Sequence, residues 1–162
     1  MNREIRRKDR ALTTEEASSL LQKGEYGILA TVSDEGQPYA VPISYAVLDG
    51  AIYVHCALAG HKIDNIRQNP AVCFTVIGKT APFYAPGNFS TTYESCIVFG
   101  KARDVSNDTE KERALFALVE KYFPEHVSEA EAYIEKFWER TAVYSISVER
   151  ITGKARKADP PA

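Results

Sequence analysis

Residues 38–56, PYAVPISYAVLDGAIYVHC, decide the fold. Asp49-Gly50 is a two-residue hairpin signal, because both turn positions take positive φ, which Gly adopts freely and Asp tolerates. The flanking runs, Pro38–Leu48 and Ala51–Cys56, are rich in β-branched and aromatic residues and read as strands. A loop this short makes them antiparallel neighbours. Pro42 has no N–H for a ladder, so the first strand is predicted to lie at an edge or to carry a bulge.

Further strands and helices extend from this hairpin in both directions. Thr13-Thr14-Glu15-Glu16 is a capping box, and the helix it opens runs to Lys23 and stops at Gly24. Tyr26–Val32 is a strand, closed by the Ser33-Asp34-Glu35-Gly36 turn. After the hairpin, a short helix covers Lys62–Gln68, stopped by Asn69-Pro70. Ala71–Ile77 and Tyr93–Val105 are strands joined by a loop. Asn107-Asp108-Thr109-Glu110 opens a helix carrying Leu115, Leu118 and Val119 at helical spacing and ending before Pro124. Ser128-Glu129-Ala130-Glu131 opens another, through Trp138. A last strand, Val143–Ile151, alternates Tyr144, Ile146 and Val148 with Ser145, Ser147 and Glu149. The fold expected is mainly β with flanking helices, an antiparallel barrel, because closure removes sheet edges. One domain spans residues 1–162, with flexible tails expected at 1–10 and 155–162.

The formal charge is −2 over 162 residues. A nearly neutral chain is not drawn to nucleic acid or to an anionic membrane, so neither partner is expected. The start is charged rather than apolar and no run approaches membrane-spanning length, so a cytoplasmic protein is expected. Cys56, Cys73 and Cys96 read as reduced, half-buried thiols. No Cys or His spacing suits a metal, and His55-Cys56, adjacent in a strand, point to opposite faces.

Chemistry concentrates just after the hairpin. Gly60-His61-Lys62 leads from a loop into the short helix. The free amides of a helix N-terminus, with a lysine ammonium beside them, make a phosphate site. The irregular backbone around Pro42 offers polar groups that could bond the edge of a flat ring.

The chain resembles the FMN-binding split-barrel family, the pyridoxamine 5′-phosphate oxidase-like proteins, and within it the nitroimidazole-resistance (Nim) branch. The likeness is carried by Tyr26-Gly27-Ile28-Leu29-Ala30-Thr31, Pro42-Ile43-Ser44-Tyr45, Tyr53-Val54-His55, Gly60-His61-Lys62-Ile63-Asp64-Asn65-Ile66 with Asn69-Pro70, Thr92 through Gly100, Ala114-Leu115, and Lys121-Tyr122-Phe123-Pro124. It spans Leu12 to Lys154. The resemblance implies FMN as cofactor, with Lys62 on the phosphate, helped by Gly60 and His61. It implies Pro42, Ile43, Ser44 and Tyr45 along the isoalloxazine edge, and His55 near the ring or the ribityl chain. It implies a homodimer with the cofactor at the interface, where Thr92 and Ser95 contribute from either subunit. Trp138 reads as a core or interface aromatic. No catalytic residue is assigned, although His55 or Tyr45 could give a proton near the ring.

The chain departs from pyridoxamine-phosphate oxidase itself. That enzyme's arginine-rich strand and Ser-Arg-Lys triplet are replaced here by Ala40-Val41-Pro42 and Gly60-His61-Lys62, and its Arg-x-His is missing from the tail. Vitamin B6 oxidation is therefore not expected. The leading expectation is an FMN-dependent oxidoreductase acting on nitroimidazole, nitroaromatic or quinone-like acceptors, with NAD(P)H bound only transiently. The alternatives are a non-enzymatic flavin-binding or sensing protein, and a split barrel holding haem or a deazaflavin, with His55 or His61 as a haem ligand.

Overall fold

Thr13 caps the first helix as its sequence requires: its Oγ1 accepts from the Glu16 amide, and Glu16 Oε2 accepts from the Thr13 amide at 2.9 Å. The computed structural model describes residues 4–156. Its strands are β1 (Ala11–Leu12), β2 (Gly27–Val32), β3 (Pro38–Ile43), β4 (Ala46–Leu48), β5 (Ala51–Cys56), β6 (Ala71–Ala85), β7 (Asn88–Asp104), β8 (Ala142–Ile146) and β9 (Arg150–Arg156). Its α-helices are α1 (Thr14–Lys23), α2 (His61–Gln68), α3 (Asp108–Tyr122) and α4 (Ala130–Phe137). The strands follow the order β3-β2-β6-β7-β8-β5-β4, with β9 also on β7 and β1 on β9, and every pairing is antiparallel.

The Asp49-Gly50 turn joins β4 to β5 with φ of 51° and 78°. The run 38–48, however, is two strands. Pro38–Ile43 pairs with β2, Pro42 opposite Ile28, at one edge of the sheet. Ala46–Leu48 pairs with β5 at the other edge. The hairpin therefore does not lay Pro42 and Ile43 beside β5. The chain changes sheets at Ser44-Tyr45 because the Tyr45 side chain turns fully into the core there.

The segment read as a loop after Ile77 is instead a ribbon. β6 and β7 pair from Thr80–Tyr93 out to Ala85–Asn88, beyond an irregularity at Gly78-Lys79. Pro86-Gly87 closes it, with Gly87 at φ 77°. The last predicted strand also divides. β8 pairs with β7 at Ala102–Asp104, and β9 pairs with β7 at Tyr93–Phe99. Between them the Ser147 carbonyl crosses Gly100, where a Cβ would lie 1.7 Å from that oxygen. The helix predicted from Ser128 begins at Ala130, after a 3-10 segment from Pro124 to Glu129. Within the expected tails, Lys8–Arg10 form a 3-10 turn, and Ala155 and Arg156 belong to β9 opposite Glu94 and Tyr93. Residues 1–3 and 157–162 lie outside the described part.

Two apolar clusters result. Leu29, Tyr45, Ile52, Val54, Phe74 and Val98 fill the barrel. Outside it, Leu115 and Leu118 of α3 and Ile134 of α4 cover Ala46, Tyr53 and Val143.

Candidate functional site

α2 is held at one end of the barrel. Ile63 and Ile66 enter the core, and Asn65, also buried, donates to Thr31 Oγ1 at 2.9 Å. Thr31 in turn donates to the Tyr39 carbonyl. These contacts fix the helix start beside β3, where the His61 ring lies 4.1 Å from the Tyr39 ring.

Gly60 caps this helix without a side chain. Its φ of 143° is a glycine conformation, and nothing occupies the space where a Cβ would stand. Its carbonyl accepts from the Ile63 and Asp64 amides at 2.8 and 3.1 Å. The amides of His61 and Lys62 precede any intrahelical acceptor and face outward at the positive end of the helix dipole.

Lys62 acts electrostatically on both residues at the end of β5. The imidazole of His55 reaches solvent but is crowded by protein, and this desolvation first, then the Lys62 charge, lowers its pKa. Burial raises the Cys56 thiol, against which Lys62 pulls the other way. His55 and Cys56 do face opposite ways, since Cys56 packs on the barrel core. Gly60, His61, Lys62 and His55 are thus brought to one corner. His55 is biased to the neutral form, so Lys62 rather than His55 brings positive charge to the corner.

Pro42 and Ser44 are exposed at the β3 edge, and Ile43 is half-buried against the core. As an edge strand, β3 has backbone groups pointing away from the sheet. Tyr45 does not belong with them. It is 0% exposed, its hydroxyl donates to the Leu21 carbonyl, and its ring packs edge-on against Phe74. Burial pushes its pKa up. Its amide donates to Tyr122 Oη at 3.0 Å, and the Tyr122 hydroxyl in turn bonds the carbonyls of Glu25 and Tyr45. The Tyr45 backbone and hydroxyl are therefore occupied, and Tyr45 is not a proton donor to a ligand.

Thr92 and Ser95 lie further along the sheet. Ala30 opposes Cys73, while Ser95 opposes Ile77, four residues on, roughly 13 Å at ~3.3 Å per residue. Thr92, opposite Ala81, is on the ribbon and donates to the Ala81 carbonyl. One chain does not bring them to the Lys62 corner. Trp138 borders the helical cluster, with the Lys111 ammonium 4.2 Å from its ring.

Two features near the β3–β4 break escape a reading of the sequence. One is the Tyr122 clasp on Tyr45. The other is Lys121, whose Nζ is buried with no hydrogen-bond partner among the described residues, 3.5 Å from the centre of the Tyr45 ring. Burial lowers its pKa to about 8. Lys121-Tyr122 is visible in the sequence, but nothing local links it to residue 45. The outward face of β3, β2, β6 and β7 is mostly apolar. One cross-strand row runs Ala40, Ala30, Cys73, Phe99 and the next Pro42, Ile28, Thr75, Ile97.

The chain resembles solved structures over most of its length. A candidate 5-nitroimidazole antibiotic resistance protein from Bacteroides thetaiotaomicron has a TM-score of 0.75 at 21% identity, covering 90% of this chain and 86% of that one. The flavocytochrome Anf3 from Azotobacter vinelandii has a TM-score of 0.84 at 22% identity, covering 98% and 75%. An FAD and heme binding protein from Mycobacterium smegmatis has a TM-score of 0.79 at 19% identity, covering 93% and 74%. At these identities the likeness establishes the fold. No curated protein matches the chain. The family model described as pyridoxamine 5′-phosphate oxidase matches residues 13–155, and the chain belongs to that family.

Proposed function

We propose that the protein binds FMN, with the phosphate at Gly60-His61-Lys62, and works as a flavin-dependent oxidoreductase. The observation that carries this reading is the α2 entry: a glycine cap in a positive-φ conformation, two outward amides and Lys62 at one exposed corner next to His55. That donor set fits a phosphate monoester. Pro42, Ile43 and Ser44 would serve the ring through the free backbone groups of the β3 edge, and the Tyr122 clasp holds that edge in place. His55, biased to its neutral form, would offer a hydrogen bond rather than a charge. The relatives described as flavin proteins support a flavin, and the Lys62 corner favours FMN as the species. Bound FMN would supply electron transfer from NAD(P)H to a nitroaromatic or quinone-like acceptor.

The apolar outward face of β3, β2, β6 and β7 supports a homodimer with the cofactor at the interface, to which Thr92 and Ser95 could contribute from the second copy. An uncovered sheet face of this kind is stabilised by burial against a partner.

Titration of the cofactor-free protein with FMN, followed by quenching of flavin fluorescence, tests the reading. Lys62→Ala is expected to weaken binding by about 1.5–3 kcal/mol, the range for a hydrogen bond to a charged group. An unchanged dissociation constant removes Lys62 from the site. A Soret band on reconstitution without any flavin uptake would replace FMN by haem.

A further inference from the structure

The ribbon beyond Gly78-Lys79 is an unusual surface. From Thr80 to Tyr93 it carries no charged residue. Among the described residues, its strands from Thr80 to Thr92 pair only with each other; β9 is described as far as Arg156, opposite Tyr93. An isolated two-stranded ribbon is at best marginally stable in water. Its two faces differ. On one, Phe83 and Ser90 are opposite each other and are held by Arg156, whose guanidinium lies 5.4 Å from the Phe83 ring and donates to Ser90 Oγ. This fastens the ribbon to its own barrel. On the other, Tyr84 and Phe89 are cross-strand partners with rings 5.0 Å apart, and they are 65% and 86% exposed. Pro82, opposite Thr91, removes an edge N–H, which discourages growth of a continuous sheet and favours docking by the face.

At the foot of the same ribbon lies a groove of about 870 Å³ between α1 and the β6–β7 base. Its lining is mixed: Leu12, Leu20, Tyr26 and Ile77 form an apolar strip, Tyr26 and Ile77 about half exposed, rimmed by charged side chains that include Glu16, Lys23, Lys79 and Glu94.

We propose that the ribbon is an exchange arm: in a two-fold dimer, each copy's Tyr84 and Phe89 seat in the other copy's groove between α1 and the ribbon base. Tip and groove stand at opposite ends of the ribbon, so two copies laid antiparallel bring each tip to the other's groove, as an isologous interface requires. Area agrees with this occupant. Aromatic side chains bury about 150–250 Å² each, and Tyr84 and Phe89 start 65% and 86% exposed, so the four tips supply roughly 450–750 Å² and the groove walls a comparable amount. The sum reaches the lower part of the ~1,200–2,000 Å² of a stable interface. The inference rests on the homodimer proposed above but not on the identity of its cofactor.

Sedimentation equilibrium of the full chain tests it. Tyr84→Ser with Phe89→Ser is expected to raise the dimer dissociation constant by about 100-fold or more, the loss expected of aromatic anchors. Tyr26→Asp with Ile77→Asp on the groove side is expected to do the same. An equimolar mixture of the tip and groove variants keeps one intact contact per pair and recovers association to an intermediate constant. Tyr133→Ser, an aromatic exposed to 65% on α4, is the control and is expected to leave association unchanged. A monomeric parent protein, or tip variants that dimerise with the parent constant, overturn the proposal. If one pair of variants misfolds by circular dichroism, the other decides. Weakened dimers in a protein that takes up no FMN would sink the flavin reading and leave the arm standing.

Discussion

Tyr122→Phe removes one oxygen and should loosen the junction between the two halves of the barrel. That oxygen accepts from the Tyr45 amide at 3.0 Å and donates toward the Glu25 and Tyr45 carbonyls. Tyr45 is wholly buried, so its amide has no solvent to turn to. Leaving a buried donor unsatisfied costs about 1–3 kcal/mol, and the lost donation to a carbonyl adds about 0.5–1.5 kcal/mol. Tyr122 itself is only half-buried, and water could reach part of the gap, so the expected loss is about 2–3 kcal/mol. In urea this moves the unfolding midpoint down by about 1 M. In a thermal scan it lowers Tm by roughly 4–12 °C for a chain of this size. If FMN lies along the β3 edge as proposed above, the same variant binds it more weakly, because Ser44 precedes the loosened residue. Tyr133→Phe, exposed on α4, serves as the reference. A Tyr122→Phe midpoint within about 0.5 kcal/mol of the parent, the usual range of neutral surface changes, would refute the clasp.

Two further outcomes are expected. Gly100→Ala places a Cβ against the Ser147 carbonyl, a backbone atom that cannot swing aside, and should cost about 3 kcal/mol or more by urea unfolding; a loss under about 1 kcal/mol, the size of a bare propensity change, would show that the crossing relaxes easily. Lys121 has a folded pKa of about 8 against an ordinary 10.5, so the unfolded chain binds more protons between those values and this residue makes stability rise with pH there. Lys121→Met should therefore stabilise the fold at pH 7, by about 1 kcal/mol after allowance for partial exposure and for the ring contact with Tyr45, which favours the ammonium. The gain, measured by urea unfolding against the parent protein, should shrink from pH 8 to 10.5; a gain equal at both ends contradicts a charge origin.

The parts of the fold legible in the sequence are those encoded locally. Thr13 and Glu16 are three residues apart and cap each other; Asp49-Gly50 turns within itself; Asn107 accepts from the Glu110 amide to open α3. Where two distant segments decide the structure, local reading gave continuous strands. The break at Ser44-Tyr45 depends on Leu21, Phe74 and Tyr122, and the break at Ser147 depends on the missing Cβ of Gly100. The ribbon was hidden by Pro82 and Pro86, which punctuate a loop equally well. The candidate site divides in the same way. Gly60-His61-Lys62 is one helix start and reads directly. The burial of Tyr45 and the distance of Thr92 and Ser95 from Lys62 follow from register, which no local motif carries.

The double pairing of β7 also sets a timetable. Its inner edge zips to β6 across a short turn, but its other edge waits for β8 and β9: Phe99 meets Arg150 and Cys96 meets Gly153. Some fifty residues, including α3 and α4, must be made before that edge is covered. At about 5–20 residues per second of synthesis, a nascent chain carries an open, apolar strand for several seconds. Such long-range closure is intrinsically slow and vulnerable to wrong partners. Barrel closure by β8 and β9 is thus the step at which chaperone protection would matter most, and Gly100, whose missing Cβ lets both strands share β7, is needed for that closure.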